Sequence, residues 1–426
     1  MRAGHAIAVF VLALLTLGVV MVSSASMQVN PVTAASAGGD PTLTAPALEV
    51  LTGRHAVYLG LALLAMVLAS RMPVRRVMGL LSRRESLAVH PLSGLIPCAL
   101  LAAVLCGVLL LVYMPGVQRV VNGSARWVSI PGAGIGFQPS ELAKWGCVLL
   151  VAWYAAARAP LMRSFWLGLA PGLALLGAVS LLIVVEDLGT GALVAAAGCV
   201  VLVAGGARLW QLIALAPIGV VGFVAAILQQ PYRIDRVVSF IDPWSSPRGD
   251  GYHMIQSLTT IAGGAGTGRG LGHGLQKFGY LPEDTTDFLF AVVCEELGVF
   301  GAAIVIGLYA GLVACVWLVA RQEREALPKL FTIGVMATLA LQTLINLFVV
   351  TGMAPTKGIA LPLMSAGGTG WIMTAFCLGL VVSIERTQEI ETPEPASEAE
   401  PSTRLDQNAT EREPPLIQSR RQRVPA

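Results

Sequence analysis

The chain has 426 residues, of which 55% are hydrophobic and 12% are charged. Soluble globular proteins carry about 25% charged residues, so this sequence has too few charged residues to cover the surface of a water-soluble protein. The composition also excludes an intrinsically disordered chain, a collagen-like fibre and a disulfide-stapled secreted domain. What remains is a polytopic membrane protein. The formal net charge of +3 is too small to indicate a nucleic-acid partner.

Apolar windows long enough to cross a bilayer follow one another along the chain. A transmembrane helix needs about 20 mostly apolar residues, and such windows lie at 4–25, 55–70, 92–115, 139–157, 165–184, 188–206, 209–228, 288–319, 328–352 and 368–385. The first window lacks the features of a cleaved signal peptide and is interpreted as a retained helix. The sequence therefore predicts an all-α, polytopic membrane domain of about ten transmembrane helices over residues 1–385.

Two segments differ in composition from these windows. Residues 229–287, between the seventh and eighth windows, are rich in Gly and charge and are predicted to form one large extracytoplasmic loop. Residues 386–426 are acidic and Pro-rich before a basic end, which predicts a disordered cytoplasmic tail. Most Arg and Lys residues of the short loops fall on the side that holds both termini, so both termini are predicted to be cytoplasmic.

Neither the cysteines nor the histidines form a ligand pattern. All seven Cys residues lie in apolar runs without CxxC spacing, and the five His residues are scattered. The sequence therefore predicts no dedicated metal site.

A charged residue at membrane depth carries a free-energy cost of several kcal/mol, so such residues mark candidate functional positions. Glu141 and Lys144 are three residues apart in a predicted helix, so they can pair on one face. They form either a structural pair or part of a substrate site. Asp187 lies between two predicted helices and either caps the second helix or serves in function. Asp287 precedes another predicted helix, and both capping and chemistry are open for it.

Several short strings stand in a fixed order over residues 12–384. They include Asn122 to Trp127, Gln138 to Glu141, Asp187 to Thr190, Gly268 to Gly272, Gln276-Lys277, Leu281 to Glu283, Thr286 to Phe288, Glu295 to Gly298 and Pro355 to Gly358. Together they resemble the SEDS family of FtsW, RodA and SpoVE. The strings around Gln276 and Pro355 are more similar to the division-type FtsW branch. Thr285 stands where the family often has His.

The resemblance implies an enzyme of the bacterial cytoplasmic membrane, an inverting peptidoglycan glycosyltransferase. Such an enzyme polymerises glycan strands from lipid II at the outer membrane face, here in cell division. The implied partners are a class B penicillin-binding transpeptidase, other divisome membrane proteins and membrane lipid. The outer loop from Ala354 to Gly370 either docks the transpeptidase or roofs a cavity. An elongation-type, RodA-like polymerase, a lipid II flippase or transporter, and a non-catalytic scaffold that recruits a transpeptidase remain as alternative functions.

The resemblance also implies roles for individual residues. Asp287 matches the family's key aspartate and is the expected general base, while positive charge is expected beside the departing diphosphate. A divalent cation, Mg or Mn, is compatible with that second role, although no cage of ligands for it is evident. The expected substrate-binding residues are Arg126, Arg233, Arg236, Lys357 and Glu283, and the expected supporting residues are Glu141, Lys144 and Asp187.

Overall fold

The computed structural model describes residues 2–26, 54–79, 95–121, 124–129, 136–275 and 279–391. Apolar runs fold into helices because a helix satisfies its own backbone hydrogen bonds where water is scarce. In chain order the elements are α1 (Ala3–Ser26), α2 (Arg54–Arg71), α3 (Leu95–Leu110), β1 (Gln118–Val121), β2 (Ser124–Ser129), β3 (Gly136–Phe137), α4 (Pro139–Ala157), α5 (Ala170–Glu186), α6 (Leu188–Ala204), α7 (Leu209–Leu228), α8 (Pro231–Ile241), α9 (Tyr252–Gly263), α10 (Leu289–Gln322), α11 (Ala326–Val350) and α12 (Thr369–Glu391). Short 3-10 or π turns lie at Leu111–Tyr113, Ala159–Leu161, Phe165–Leu169 and Pro243–Ser245.

Each predicted apolar window contains a helix. Among the described residues, seven helices are long and apolar enough to cross a bilayer: α1, α7, α10, α11, α12, and α3 and α5 with their adjoining turns. Helices α2 and α6 are shorter but also apolar. Helix α4 occupies the remaining window and carries Glu141 and Lys144. The predicted all-α membrane class is therefore confirmed.

The helices share one apolar core. Helix α1 packs on α10 and α12, α12 packs on α2, and α4 packs on α6 and α11. Tyr154, Phe331 and Trp371 are among the largest side chains buried in this core. Helix α7 differs, because Gln211 is its one buried side chain among the described residues. An apolar helix with so much exposed surface is expected where lipid surrounds it.

The structure differs from the sequence predictions outside the apolar windows. The predicted loop 229–287 contains α8 and α9, and α8 begins with Pro231, whose fixed φ suits a first helical turn. The segment between α3 and α4 forms a small antiparallel sheet in the order β1-β2-β3. Helix α12 continues to Glu391, beyond the predicted start of the tail at residue 386. The rest of that tail, and Asn122, Gln276 and Lys277 of the motif strings, lie outside the described residues.

The Gly-rich run after α9 packs against an interruption in α10. Gly298 has a φ of 65° there, a conformation that glycine adopts without steric cost. The backbone N–H of Arg269 donates to the Glu295 carbonyl at 2.9 Å. A Cβ on Gly268 would lie 2.4 Å from the Glu296 carbonyl oxygen. The glycines therefore allow the backbone of this run to contact the backbone of α10 at residues 295–298.

Candidate active site

A cavity of about 540 Å³ lies where α6, α7 and α8 meet β2 and the loop between α11 and α12. Four of the predicted substrate-binding residues line it: Arg126, Arg233, Arg236 and Lys357. Among its described lining residues, Asp187 is the only acid. An excess of positive charge in a partly enclosed cavity favours an anionic ligand.

Arg126 and Asp187 form one wall of this cavity. The Nε of Arg126 donates to the Glu186 carbonyl at 3.2 Å, and its guanidinium lies 3.7 Å from Asp187 Oδ2. Asp187 also accepts from the Thr190 backbone N–H at 3.0 Å and from the Thr190 hydroxyl at 2.9 Å. Asp187 is therefore the N-cap of α6, and the capping alternative left open by the sequence is confirmed.

A second cavity, of about 390 Å³, shares Arg126 and Asp187 with the first. Its other walls are mostly apolar and come from α3, the turn after α3, the start of α4 and α5. At this cavity the Tyr113 hydroxyl donates to Glu186 at 2.7 Å. Arg126 and Asp187 therefore lie between the first cavity, which is lined by cationic side chains, and the second cavity, whose lining is mostly apolar.

Arg233 is buried at the start of α8. Its guanidinium donates to the carbonyl oxygens of Ala226, Val184 and Val185 at 2.9 to 3.2 Å. Its Nε also donates to the Tyr232 hydroxyl at 3.0 Å. The last carbonyls of a helix lack partners within the helix, so Arg233 joins the ends of α5 and α7. Its contribution to substrate binding stays a prediction.

Arg236 and Lys357 bring further positive charge to the cavity. The exposed Arg236 lies over the Tyr232 ring, 5.7 Å from its centroid. Lys357 is half-buried in the loop between α11 and α12, with Nζ 5.5 Å from the centroid of the Phe223 ring. Burial, together with the neighbouring arginines, lowers the pKa of Lys357 to about 8, although Asp187 acts in the opposite direction.

Asp287 lies in the turn before α10, directly behind the cavity wall. The N-cap of α10 is Phe288 and makes no side-chain capping bond, so Asp287 does not serve as the cap. A Cβ on Gly358, which lines the cavity, would be 3.0 Å from Asp287 Oδ2. Burial first, and then the charges of Glu283 and Asp187, raise the pKa of Asp287 to about 7. Such a carboxyl can both accept and release a proton near neutral pH.

Glu283 is exposed and shapes the turn that carries Asp287. It adopts a φ of 57°, in the left-handed region that few residues other than glycine enter. Its carboxylate accepts from the Thr286 hydroxyl at 2.7 Å, and its carbonyl accepts from the Phe288 N–H at 3.2 Å. Substrate binding by Glu283 stays a prediction, since it does not line either described cavity.

The predicted pair of Glu141 and Lys144 is present. Lys144 Nζ lies 2.9 and 2.8 Å from the two Glu141 carboxylate oxygens and also donates to Gln342 Oε1 at 3.0 Å. Lys144 is only 1% exposed, so its contacts with these two partners offset the free-energy cost of burying its charge. The pair links α4 to α11, and a purely structural role for it remains a prediction.

Two amides on α11 were not among the predicted site residues. Gln342 Nε2 donates to the Ala360 carbonyl, and Asn346 Nδ2 donates to the carbonyls of Asp287 and Ile359, each at 2.8 Å. Gln342 and Asn346 are four residues apart in a largely apolar helix and so lie on one face. Polar residues at this spacing in a membrane helix are a signal that sequence reasoning could have used.

Comparison with known proteins identifies the family. The family model described as "Cell cycle protein", for FtsW, RodA and SpoVE, matches residues 5–390. The chain belongs to this family. The resemblance read from the sequence is therefore confirmed.

Relatives within the FtsW/RodA/SpoVE family match over nearly the whole chain. The "Probable peptidoglycan glycosyltransferase FtsW" of Halomonas elongata is 35% identical over 398 residues, 91% of this chain and 91% of that protein. The protein of the same name from Thioalkalivibrio sulfidiphilus is 38% identical over 386 residues, 88% of each chain. A solved structure described as "Structural coordination of polymerization and crosslinking by a peptidoglycan synthase complex" has a TM-score of 0.66 and 29% identity, covering 90% of this chain and 97% of that chain.

In this family member the loop between α11 and α12 folds over the bundle. Ile359, Leu361, Leu363 and Met364 are buried, with at most 4% of each residue exposed. The Trp371 indole also donates to the carbonyl of Ser365 in this loop, at 2.6 Å. Of the two alternatives for this loop, its burial supports the roof over a cavity rather than a docking surface.

The described residues offer few ligands for a metal ion. Among them, no group of three or more His, Cys, Asp or Glu side chains is placed to hold one. Asp187 is already engaged with Thr190 and Arg126, which leaves the Asp287 carboxylate as the candidate ligand in the cavity wall. Mg²⁺ often binds through one carboxylate, with phosphate and water completing its shell. A requirement for Mg or Mn remains a prediction.

Proposed function

We propose that this chain is a peptidoglycan glycosyltransferase that polymerises glycan strands from lipid II at the outer face of the bacterial cytoplasmic membrane. The observation that carries the proposal is the Asp287 carboxylate, whose pKa is about 7, beside a cavity lined by Arg126, Arg236 and Lys357. Both FtsW relatives are named as probable peptidoglycan glycosyltransferases. Their name also supports a role in cell division rather than elongation.

The charges of the site match the reaction. Lipid II is a saccharide joined through a diphosphate to a lipid. Ionised Asp287 accepts the proton of the acceptor's 4-hydroxyl while that oxygen forms a bond to C1 of the donor sugar. The bond between C1 and the diphosphate oxygen breaks, and the diphosphate leaves with the electron pair. Arg126, Arg236 and Lys357 stabilise its negative charge. A single displacement inverts C1, so no covalent sugar–enzyme intermediate forms.

The position of α7 suits a substrate whose lipid stays in the bilayer. Phe223 and Ile227 of this exposed apolar helix line the cationic cavity. A lipid-linked diphosphate can therefore keep its chain in an apolar environment while its charge reaches the cations. This arrangement supports a lipid-linked donor over a soluble sugar nucleotide.

A class B penicillin-binding transpeptidase is the partner that we propose. The related solved structure is described as coordinating polymerization and crosslinking in a peptidoglycan synthase complex. Crosslinking is the chemistry of a transpeptidase, so the description supports this type of partner. Other divisome membrane proteins as partners, and both termini in the cytoplasm, are further parts of the proposal.

Purified full-length protein incubated with fluorescent lipid II in detergent tests the activity. We expect a ladder of glycan strands that a muramidase digests. In detergent there is no membrane for lipid II to cross, so the formation of polymer supports glycosyltransferase activity. Absence of polymer, combined with movement of lipid II across proteoliposome membranes, would instead support a flippase.

Depletion of the protein in its host tests the division role. A septal polymerase is expected to leave cells that elongate without dividing. Loss of cell shape with continued division would instead support an elongation-type, RodA-like role.

A further inference from the structure

Helix α11 holds two segments of the site through one side chain. Asn346 is 1% exposed, and its Nδ2 donates to the carbonyls of Asp287 and Ile359, each at 2.8 Å. The first carbonyl belongs to the residue proposed as the general base. The second lies two residues after Lys357, and the Ile359 N–H itself donates to the Lys357 carbonyl at 3.0 Å. One amide therefore joins the base and the cation-bearing loop.

The contact across this junction is close. A Cβ on Gly358 would lie 3.0 Å from Asp287 Oδ2, so the two segments have little room to shift towards each other. Gln342, one turn earlier on α11, holds the same loop at Ala360 but makes no described contact with Asp287. Among the described contacts of these two amides, only those of Asn346 join Asp287 to the loop that carries Lys357.

We propose that Asn346 is a positioning residue, whose amide fixes the Asp287 main chain, and through it the carboxylate, against the Lys357 loop at the separation that the reaction needs. This inference rests on the proposed function, because it assigns base and leaving-group roles to the two segments. A displacement of about 1 Å at a reacting group lowers turnover by about 100-fold in well-organised sites. Substrate affinity, which depends on the cavity cations, changes less.

Two substitutions of Asn346 and one control separate positioning from stability. Asn346→Leu removes both hydrogen bonds, and Asn346→Asp keeps the shape but replaces the donor with an oxygen that repels both carbonyls. Thr343→Val is the matched control, because Thr343 is buried on the same helix and its hydroxyl has no hydrogen-bond partner among the described residues. All three variants are compared as full-length purified protein for melting temperature, kcat and KM with lipid II.

We expect both Asn346 variants to lower kcat by roughly 10- to 100-fold while KM stays within about 2-fold of wild type. Thr343→Val should match wild type. A turnover of Asn346→Leu within about 2-fold of wild type would overturn the proposal. So would a fall in kcat accompanied by an equal rise in KM, since that pattern indicates general loosening of the site.

Hydrogen exchange keeps this inference separate from the proposed function. If wild-type protein makes no polymer, the proposed function fails, and exchange at residues 283–289 and 357–361 then tests the positional claim alone. Faster exchange in both segments of Asn346→Leu than of Thr343→Val supports the claim. Equal exchange in the two variants contradicts it.

Discussion

The rate of polymerisation should follow a narrow bell-shaped pH profile. Burial and neighbouring acids raise the pKa of Asp287 to about 7, so its basic form is lost as the pH falls below that value. Burial and neighbouring arginines lower the pKa of Lys357 to about 8, so its charge is lost as the pH rises above that value. The reaction needs ionised Asp287 and protonated Lys357 together. Both forms are therefore expected to coexist mainly between these two pH values.

The width of the profile follows from those two pKa values. For pKa values of about 7 and about 8, about 60% of the molecules carry both required forms near pH 7.5. The active fraction falls about 10-fold for each unit well below the first pKa or well above the second. The pH at which the acid limb falls is set by the pKa of Asp287. Besides burial, that pKa depends on the charges of Glu283, Asp187, Arg126 and Arg236.

The assay is kcat/KM for lipid II, measured from about pH 5.5 to about pH 9.5, because this ratio reports the ionisations of the free enzyme. Lys357→Arg provides the decisive comparison. A guanidinium stays charged throughout this range, so the alkaline limb should disappear while the acid limb remains. The absence of an acid limb down to about pH 5.5, or an alkaline limb that persists in Lys357→Arg, would refute these assignments.

Two sets of substitutions test the packing around the site. Lys144→Met leaves Glu141 without its cation and is expected to cost about 3–5 kcal/mol of stability, measured as a lower melting temperature, whereas adding Glu141→Gln should partly restore it. Single variants that fold normally but lose turnover would instead place the pair in the substrate site. Gly358→Ala puts a Cβ 3.0 Å from Asp287 Oδ2 and should lower kcat by roughly 10-fold. Gly367→Ala in the same loop meets its nearest atom at 3.5 Å and should stay near wild type, and an equal loss in both would contradict the proposed crowding of Asp287.

The membrane helices were predictable because each is a long apolar run, and length alone separates such a run from a buried strand or loop. The outer segments were less predictable. Helix α8 combines Arg233 and Arg236 with apolar residues and is too short for a span, so its composition resembled a loop. The small sheet depends on pairing between Gln118 and Val128 and between Val128 and Phe137, which no apolar window reveals.

The site was predictable in part. Local spacing indicated the Glu141–Lys144 contact and the capping role of Asp187, because both partners lie within one helical turn. Asn346 was missed as a site residue because its partners, Ile359 and Asp287, lie 13 and 59 positions away. The spacing of Gln342 and Asn346 indicates a polar helix face, but it does not show which segments the amides contact. Only the fold brings together groups so distant in sequence.

Polymerisation of lipid II by Asp287→Asn tests the proposed general base most directly. This change keeps the side-chain shape but removes the base, so the rate should fall by roughly 10²- to 10⁴-fold in protein that still folds and inserts into the membrane. Asp284→Asn is the matched control, since Asp284 lies in the same turn and burial raises its pKa to about 6. We expect near-normal polymerisation by the control. Near-normal polymerisation by Asp287→Asn would show that this carboxylate does not accept the proton from the attacking hydroxyl.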